Sequence, residues 1–88
     1  MKKKSLNYKI ITLVHLRTFN IIKKILNVEE NFNKNDKRKE LIVQDFNLLE
    51  KFEKNKNLFL KNEFEELKLF LNNNNEKSSF IFEYWLLN

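Results

Sequence analysis

The stretch Leu6–Val28, LNYKIITLVHLRTFNIIKKILNV, is the longest run in the chain whose apolar residues recur at a regular spacing. At steps of 4, 4, 3, 4 and 3, one helical stripe holds Ile10, Val14, Thr18, Ile21, Ile25 and Val28. The opposite side collects Lys9, Arg17, Asn20, Lys23, Lys24 and Asn27. The pattern predicts an amphipathic helix with a basic face. A strand over Ile10–Leu16 is the alternative, because β-branched residues are dense there.

The rest of the chain repeats the helical spacing twice. A second helix is predicted over Arg38–Lys54, its apolar side formed by Leu41, Ile42, Phe46, Leu49 and Phe52. A third is predicted over about Leu58–Leu71, from Leu60, Phe64, Leu67 and Leu71. Residues 29–37 read as a turn. The chain has no glycine, so we expect asparagine to provide the left-handed residues at helix ends.

These segments predict an all-α fold in one small domain of 88 residues. It comprises a basic leader at 1–5, three helices, an Asn-rich linker at 72–79 and an aromatic segment at 80–88. The aromatic segment is too short for its spacing to distinguish a short helix from a strand.

The residue types argue against catalysis. Without glycine and cysteine, the chain cannot form a Walker loop, a dinucleotide-binding fingerprint or a cysteine-ligated zinc site. His15 is the only histidine, and a catalytic role beside Asp45 would still need a nucleophile. We therefore predict a non-enzymatic protein with no cofactor, no metal and no small-molecule substrate, in which His15 lies at the surface or at a helix interface.

Charge is distributed unevenly along the chain. The net charge is +5, yet residues 1–28 carry seven positive groups and no acid, whereas residues 29–88 carry ten positive and twelve negative groups, or −2. The predicted RNA-binding set is therefore Lys2, Lys3, Lys4, Lys9, Arg17, Lys23 and Lys24. A lysine-coated surface and a helix lying on an anionic membrane are the alternatives.

The C-terminal segment SFIFEYWLL concentrates apolar and aromatic residues. As an anchor inserted into a partner, it would use Phe80, Phe82, Tyr84, Trp85, Leu86 and Leu87, since tryptophan and tyrosine concentrate binding energy at interfaces. The alternative is that these side chains fold back and complete the core of the domain.

Composition gives the context for a function. Lysine, asparagine, phenylalanine and isoleucine provide 46 of 88 residues, as expected of an AT-rich genome. We therefore predict a structural subunit of a larger assembly, namely an RNA-contacting ribosomal component in a mitochondrion or plastid, or otherwise in the cytoplasm. The alternatives are an accessory subunit of a respiratory or other membrane complex and a phage-encoded inhibitor of a host protein. No stretch is long and apolar enough to predict a membrane span, although peripheral membrane contact fits the charge.

Overall fold

The computed structural model describes residues 9–44, 47–74 and 79–86. In chain order the elements are β1 (Lys9–Leu13), α1 (Leu16–Leu26), β2 (Asn31–Asn33), β3 (Arg38–Val43), α2 (Leu48–Lys54), a 3₁₀ turn (Lys56–Leu58), α3 (Lys61–Asn73) and β4 (Ser79–Trp85). The four strands form one mixed sheet in the order β1-β4-β3-β2. Strand β1 runs parallel to β4, and the other neighbours are antiparallel. The all-α prediction is therefore wrong, since the fold is α+β.

The continuous helix predicted over Leu6–Val28 is wrong in its first half. Within the described residues, the β-branched run forms β1, and α1 begins only after His15, whose backbone is extended with ψ at 160°. The alternative of a strand from Ile10 is confirmed as far as Leu13. Helix α1 is followed by Asn27 in the left-handed region, with φ at 53°, so asparagine takes the position usual for glycine there. The expectation is wrong for α2 and α3, whose C-terminal caps, Asn55 and Asn74, have φ at −117° and −132°.

The second predicted helix is wrong over its first residues. Strand β3 occupies Arg38–Val43, and α2 begins at Leu48. Leu41 and Val43 are buried while Ile42 between them is exposed, which is the alternation of a half-buried strand rather than a helical stripe. Residues 45 and 46, which belonged to the predicted helix, lie outside the described residues.

The third predicted helix is confirmed from Lys61 onwards as α3, which buries Phe64, Leu67 and Leu71. Its predicted start is wrong, because Leu58 belongs to the 3₁₀ turn and Leu60, exposed, precedes the helix. The aromatic segment is strand β4. Of the predicted linker, residues 72 and 73 belong to α3 and residue 79 to β4, whereas residues 75–78 lie outside the described part. The predicted turn at 29–37 contains the short strand β2.

The three helices cover one face of the sheet. Phe82 on the central strand β4 is fully buried, and its ring centroid lies 6.3 Å from that of Phe52 and 6.1 Å from that of Phe70. The other buried apolar residues of this cluster are Phe19, Ile22, Leu41, Val43, Leu48, Phe59, Phe64, Leu67, Leu71 and Phe80. Because side chains alternate along each strand, Ile11 and Leu13 of β1 and the odd-numbered residues of β4 point to the other face.

Candidate functional site

The face of the sheet opposite the helices is arranged in rows across neighbouring strands. The first row is Ile11, Ile81 and Ile42, the second is Leu13, Glu83 and Glu40, and the third is Trp85 and Arg38. We call these eight residues the open face. None of the described helices lies over it.

The open face exposes unusually large apolar side chains. Ile11, Leu13, Ile42 and Trp85 are 53%, 66%, 46% and 40% exposed. Ile81 is buried because it stands between Ile11 and Ile42 in register. Single exposed apolar residues are ordinary, but several in adjacent positions on one sheet face are typical of an interaction surface.

An ionic cluster occupies one end of the open face. Glu40 and Glu83 stand opposite each other on neighbouring strands, a pairing of like charges that is unfavourable by itself. Arg38 relieves it, because its Nε lies 2.9 Å from Glu40 Oε2 and 3.4 Å from Glu83 Oε2. The guanidinium also pairs with Asp36. Its hydrogen bond to Glu40 is the main cause that raises the pKa of Arg38.

Trp85 belongs to the same cluster. Its Nε1–H donates to Glu83 Oε1 at 3.1 Å, and Arg38 Cζ lies 5.4 Å from the centroid of its ring, within the range of a cation–π contact. Glu83 is 7% exposed. It accepts the hydrogen bond from the indole and forms an ion pair with Arg38. The only tryptophan in the chain is thereby held in place while it stays partly exposed.

The net charge of this end is negative. One guanidinium faces three carboxylates, which leaves two negative charges, or one if the exposed Lys37 of the adjacent turn is counted. Such a surface repels phosphate groups and attracts lysine or arginine.

The predicted RNA-binding set is only partly placed by the structure. Lys2–Lys4 lie outside the described residues, and of Lys9 only the backbone, in β1, is described. Arg17 Nε lies 3.3 Å from Glu63 Oε1, and Lys23 Nζ lies 2.9 Å from Glu30 Oε1. The hydrogen bond from Lys23 is the main cause that lowers the pKa of Glu30. Lys24 is exposed.

The predicted partner-binding set divides between the two faces of β4. Phe80 and Phe82 are buried under the helices, beside the half-buried Tyr84, as in the alternative in which the segment completes the core. Trp85 is exposed on the open face. Leu86 is half-buried, and Leu87 lies outside the described residues. Of the five that the structure describes, Trp85 is the one classed as exposed.

A second polar cluster fastens α1 to α3. Glu63 accepts hydrogen bonds from the Leu60 N–H at 2.7 Å, the Thr18 hydroxyl at 2.9 Å and Arg17 Nε at 3.3 Å. Burial alone would raise the pKa of Glu63, but these three donors outweigh it and lower the pKa below its ordinary value of 4.5. The Leu60 contact also caps the first turn of α3.

The same cluster borders a cavity of about 290 Å³, which His15 and Glu66 also line. His15 is exposed and precedes the first turn of α1. Asp45, its suggested catalytic companion, lies outside the described residues. The carboxylate best placed to act as a base, Glu63, is instead occupied by three hydrogen-bond donors. The cluster is therefore suited to joining helices.

The lowered pKa of Glu63 gives a pH-dependent contribution to stability. Because the folded pKa lies below the unfolded one, the contribution is present above about pH 4.5 and is lost as the pH falls through the folded pKa. We expect Glu63→Gln to lower the free energy of unfolding by about 1 kcal/mol at neutral pH, with the difference shrinking below pH 4.5. Urea unfolding at several pH values measures this. Glu65→Gln, at an exposed neighbouring position, is the control, and an equal loss at every pH would contradict the assignment.

Of the eight residues of the open face, Trp85 alone was predicted as a site residue, and the other seven, Arg38 and Glu83 among them, were missed. Glu83 is the single charged residue within the apolar run SFIFEYWLL. Its isolation there was the one feature of the sequence that could have marked it as a site residue. Among the described residues, no group of three or more His, Cys, Asp or Glu could hold a metal ion, and no helix is long and apolar enough to cross a membrane. Comparison with protein-family models, curated proteins and solved structures gave no match to this chain.

Proposed function

We propose that this protein is a non-enzymatic binding subunit whose open face docks on another protein. The occupant is an apolar surface that carries lysine or arginine. The observation that carries the proposal is the set of four exposed apolar side chains beside an ionic cluster of net negative charge. Both features belong to one sheet face, so one partner surface can satisfy both.

Charge decides between a protein and RNA at this face. Trp85 is the exposed aromatic residue of the open face, and a base stacked on it would bring its phosphate towards Asp36, Glu40 and Glu83. Stacking on an aromatic ring stabilises bound RNA when cations neutralise the backbone, whereas here three carboxylates surround one arginine. RNA contact remains a second candidate through the basic set, because Lys24 is exposed and has no ion pair among the described residues.

The proposal is tested with two synthetic heptapeptides, one alternating leucine with lysine and the other leucine with glutamate. We expect the lysine peptide to bind more tightly by about tenfold or more, and Ile42→Lys to weaken it by about tenfold, since 1.4 kcal/mol is enough for each. Leu69→Lys is the matched control, because Leu69 is exposed on α3 and not on the sheet. Isothermal titration calorimetry gives the affinities.

Three outcomes would overturn the proposal: equal binding of both peptides, no effect of Ile42→Lys, or an equal effect of Leu69→Lys. Polyuridylate RNA is titrated in parallel against the wild type and Lys24→Glu. RNA binding that is lost in Lys24→Glu and falls steeply with salt, together with failure of the lysine peptide, would replace the proposal with the RNA function.

A further inference from the structure

We propose that strand β1 pairs edge to edge with β1 of a second copy of this chain, forming an antiparallel dimer. Within residues 9–44, 47–74 and 79–86, β1 has β4 as its neighbour on one side and no strand on the other. Such an edge presents unpaired N–H and C=O groups that can form a ladder with another strand. This inference does not rest on the proposed function.

The two edges of the sheet differ in how they are protected. The other edge strand, β2, is only three residues long and has asparagine at both ends. Strand β1, with the sequence KIITL, has five residues, no proline, and no charge after Lys9. Short strands, charges and proline are the means by which proteins blunt an edge, and from Ile10 onwards β1 has none of them.

An antiparallel pairing centred on Ile11 makes the edge complementary to itself. Ile11 then faces Ile11 of the second copy, Ile10 faces Thr12, and Lys9 faces Leu13. Ile11, half exposed in one chain, gains a cross-strand apolar partner, and such pairs stabilise a sheet. Residues 10 to 13 therefore meet apolar or small uncharged side chains, except where Leu13 meets Lys9.

Charge selects the antiparallel direction. The start of β1 is Lys9, whereas its end, Leu13, pairs with Glu83 in register. A parallel pair in register would place the two Lys9 residues opposite each other, and like charges directly opposite are unfavourable. The antiparallel pair instead places Lys9 opposite Leu13, in the row in which the second copy has Glu83, and it closes as a two-fold dimer.

The dimer would form an eight-stranded sheet in which the two open faces are continuous. Its interface consists of one strand from each copy. The surface area that it buries should therefore be far below the roughly 800 Å² per partner of a standard stable interface. The association should therefore be weak and reversible. Sedimentation velocity over a range of concentrations should show the sedimentation coefficient rising towards that of a dimer.

Two matched variants show whether the dimer forms through the edge strand β1 or through the open face. Ile11→Lys places two like charges opposite each other and should leave a monomer at every concentration, with circular dichroism showing that the variant is folded. Ile42→Lys changes the same face but not the edge, so it should dimerise as the wild type does. A wild type that stays monomeric, or loss of dimer in both variants, overturns the edge pairing. Ile42→Lys thus tests the proposed docking function without affecting the dimer.

A disulfide test fixes the register, since the chain has no cysteine of its own. In the proposed pair the Cα atoms of the two Ile11 residues are about 4.5–5.5 Å apart, within the range that a disulfide can bridge. The two Leu13 residues are separated by about 14 Å along the strands. Oxidation should therefore cross-link Ile11→Cys quickly and Leu13→Cys poorly. The reverse order would contradict the register.

Discussion

Replacing Phe82 with alanine is expected to lower the free energy of unfolding by about 3–5 kcal/mol, which would leave a domain of this size mostly unfolded. Phe82 is fully buried on the central strand and stacks edge to face with Phe52 and Phe70. It therefore joins β4 to α2 and α3 at once. Urea unfolding followed by circular dichroism measures the loss.

Phe32→Ala is the matched control, because Phe32 is half exposed on the edge strand β2. We expect it to cost less than about 1 kcal/mol, as surface substitutions usually do. Equal losses in the two variants would contradict the placement of β4 in the centre of the sheet.

The second large effect concerns Arg38. Arg38→Met keeps much of the apolar stem but leaves Asp36, Glu40 and Glu83 without their shared cation. Removing one partner of a fully buried ion pair costs about 3–5 kcal/mol. Because the Arg38 side chain is 21% exposed and water screens part of the charge, we expect a smaller loss here, but one larger than that of Arg17→Met, whose side chain is 54% exposed. Urea unfolding measures the loss, and the fluorescence of Trp85 should change because its guanidinium neighbour is gone.

The only other arginine provides the control. Arg17 also pairs with a carboxylate, but its side chain is 54% exposed, so Arg17→Met should cost less than about 1 kcal/mol. Adding Glu83→Gln to Arg38→Met should recover part of the lost stability, since it removes one of the unpaired charges. Additive losses would show that the two residues do not interact.

Helices α1 and α3 could be predicted because their apolar spacing is sustained over several turns. Strand β1 could not be separated from α1 by spacing, because Ile10 and Val14 fit a helical stripe whether or not the chain bends at His15. In β3, Leu41, Ile42 and Val43 form a continuous apolar run, which fits either a helix or a strand. This segment is a strand because it pairs with β4, some 40 positions away in the sequence. The spacing of neighbouring residues carries no information about such a distant partner.

The open face was harder to anticipate than the core. Arg38 at the start of a predicted helix was an electrostatic conflict, because a cation there opposes the helix dipole. The conflict disappears once Arg38 begins a strand and meets Glu40 two positions later on the same face. Trp85 was identified as a binding residue from its type alone. Phe80 and Phe82 were grouped with it, since only the alternation of a strand separates the two faces.

The docking claim is tested most directly by the indole N–H resonance of Trp85, which is single because the chain has one tryptophan. Adding the leucine–lysine heptapeptide to the ¹⁵N-labelled protein should shift this resonance together with the amides of Ile11, Ile42 and Glu83. Helix α3 should shift little. If the indole resonance stays in place while amides of α1 or α3 move, the peptide binds elsewhere and the open face is not the docking surface.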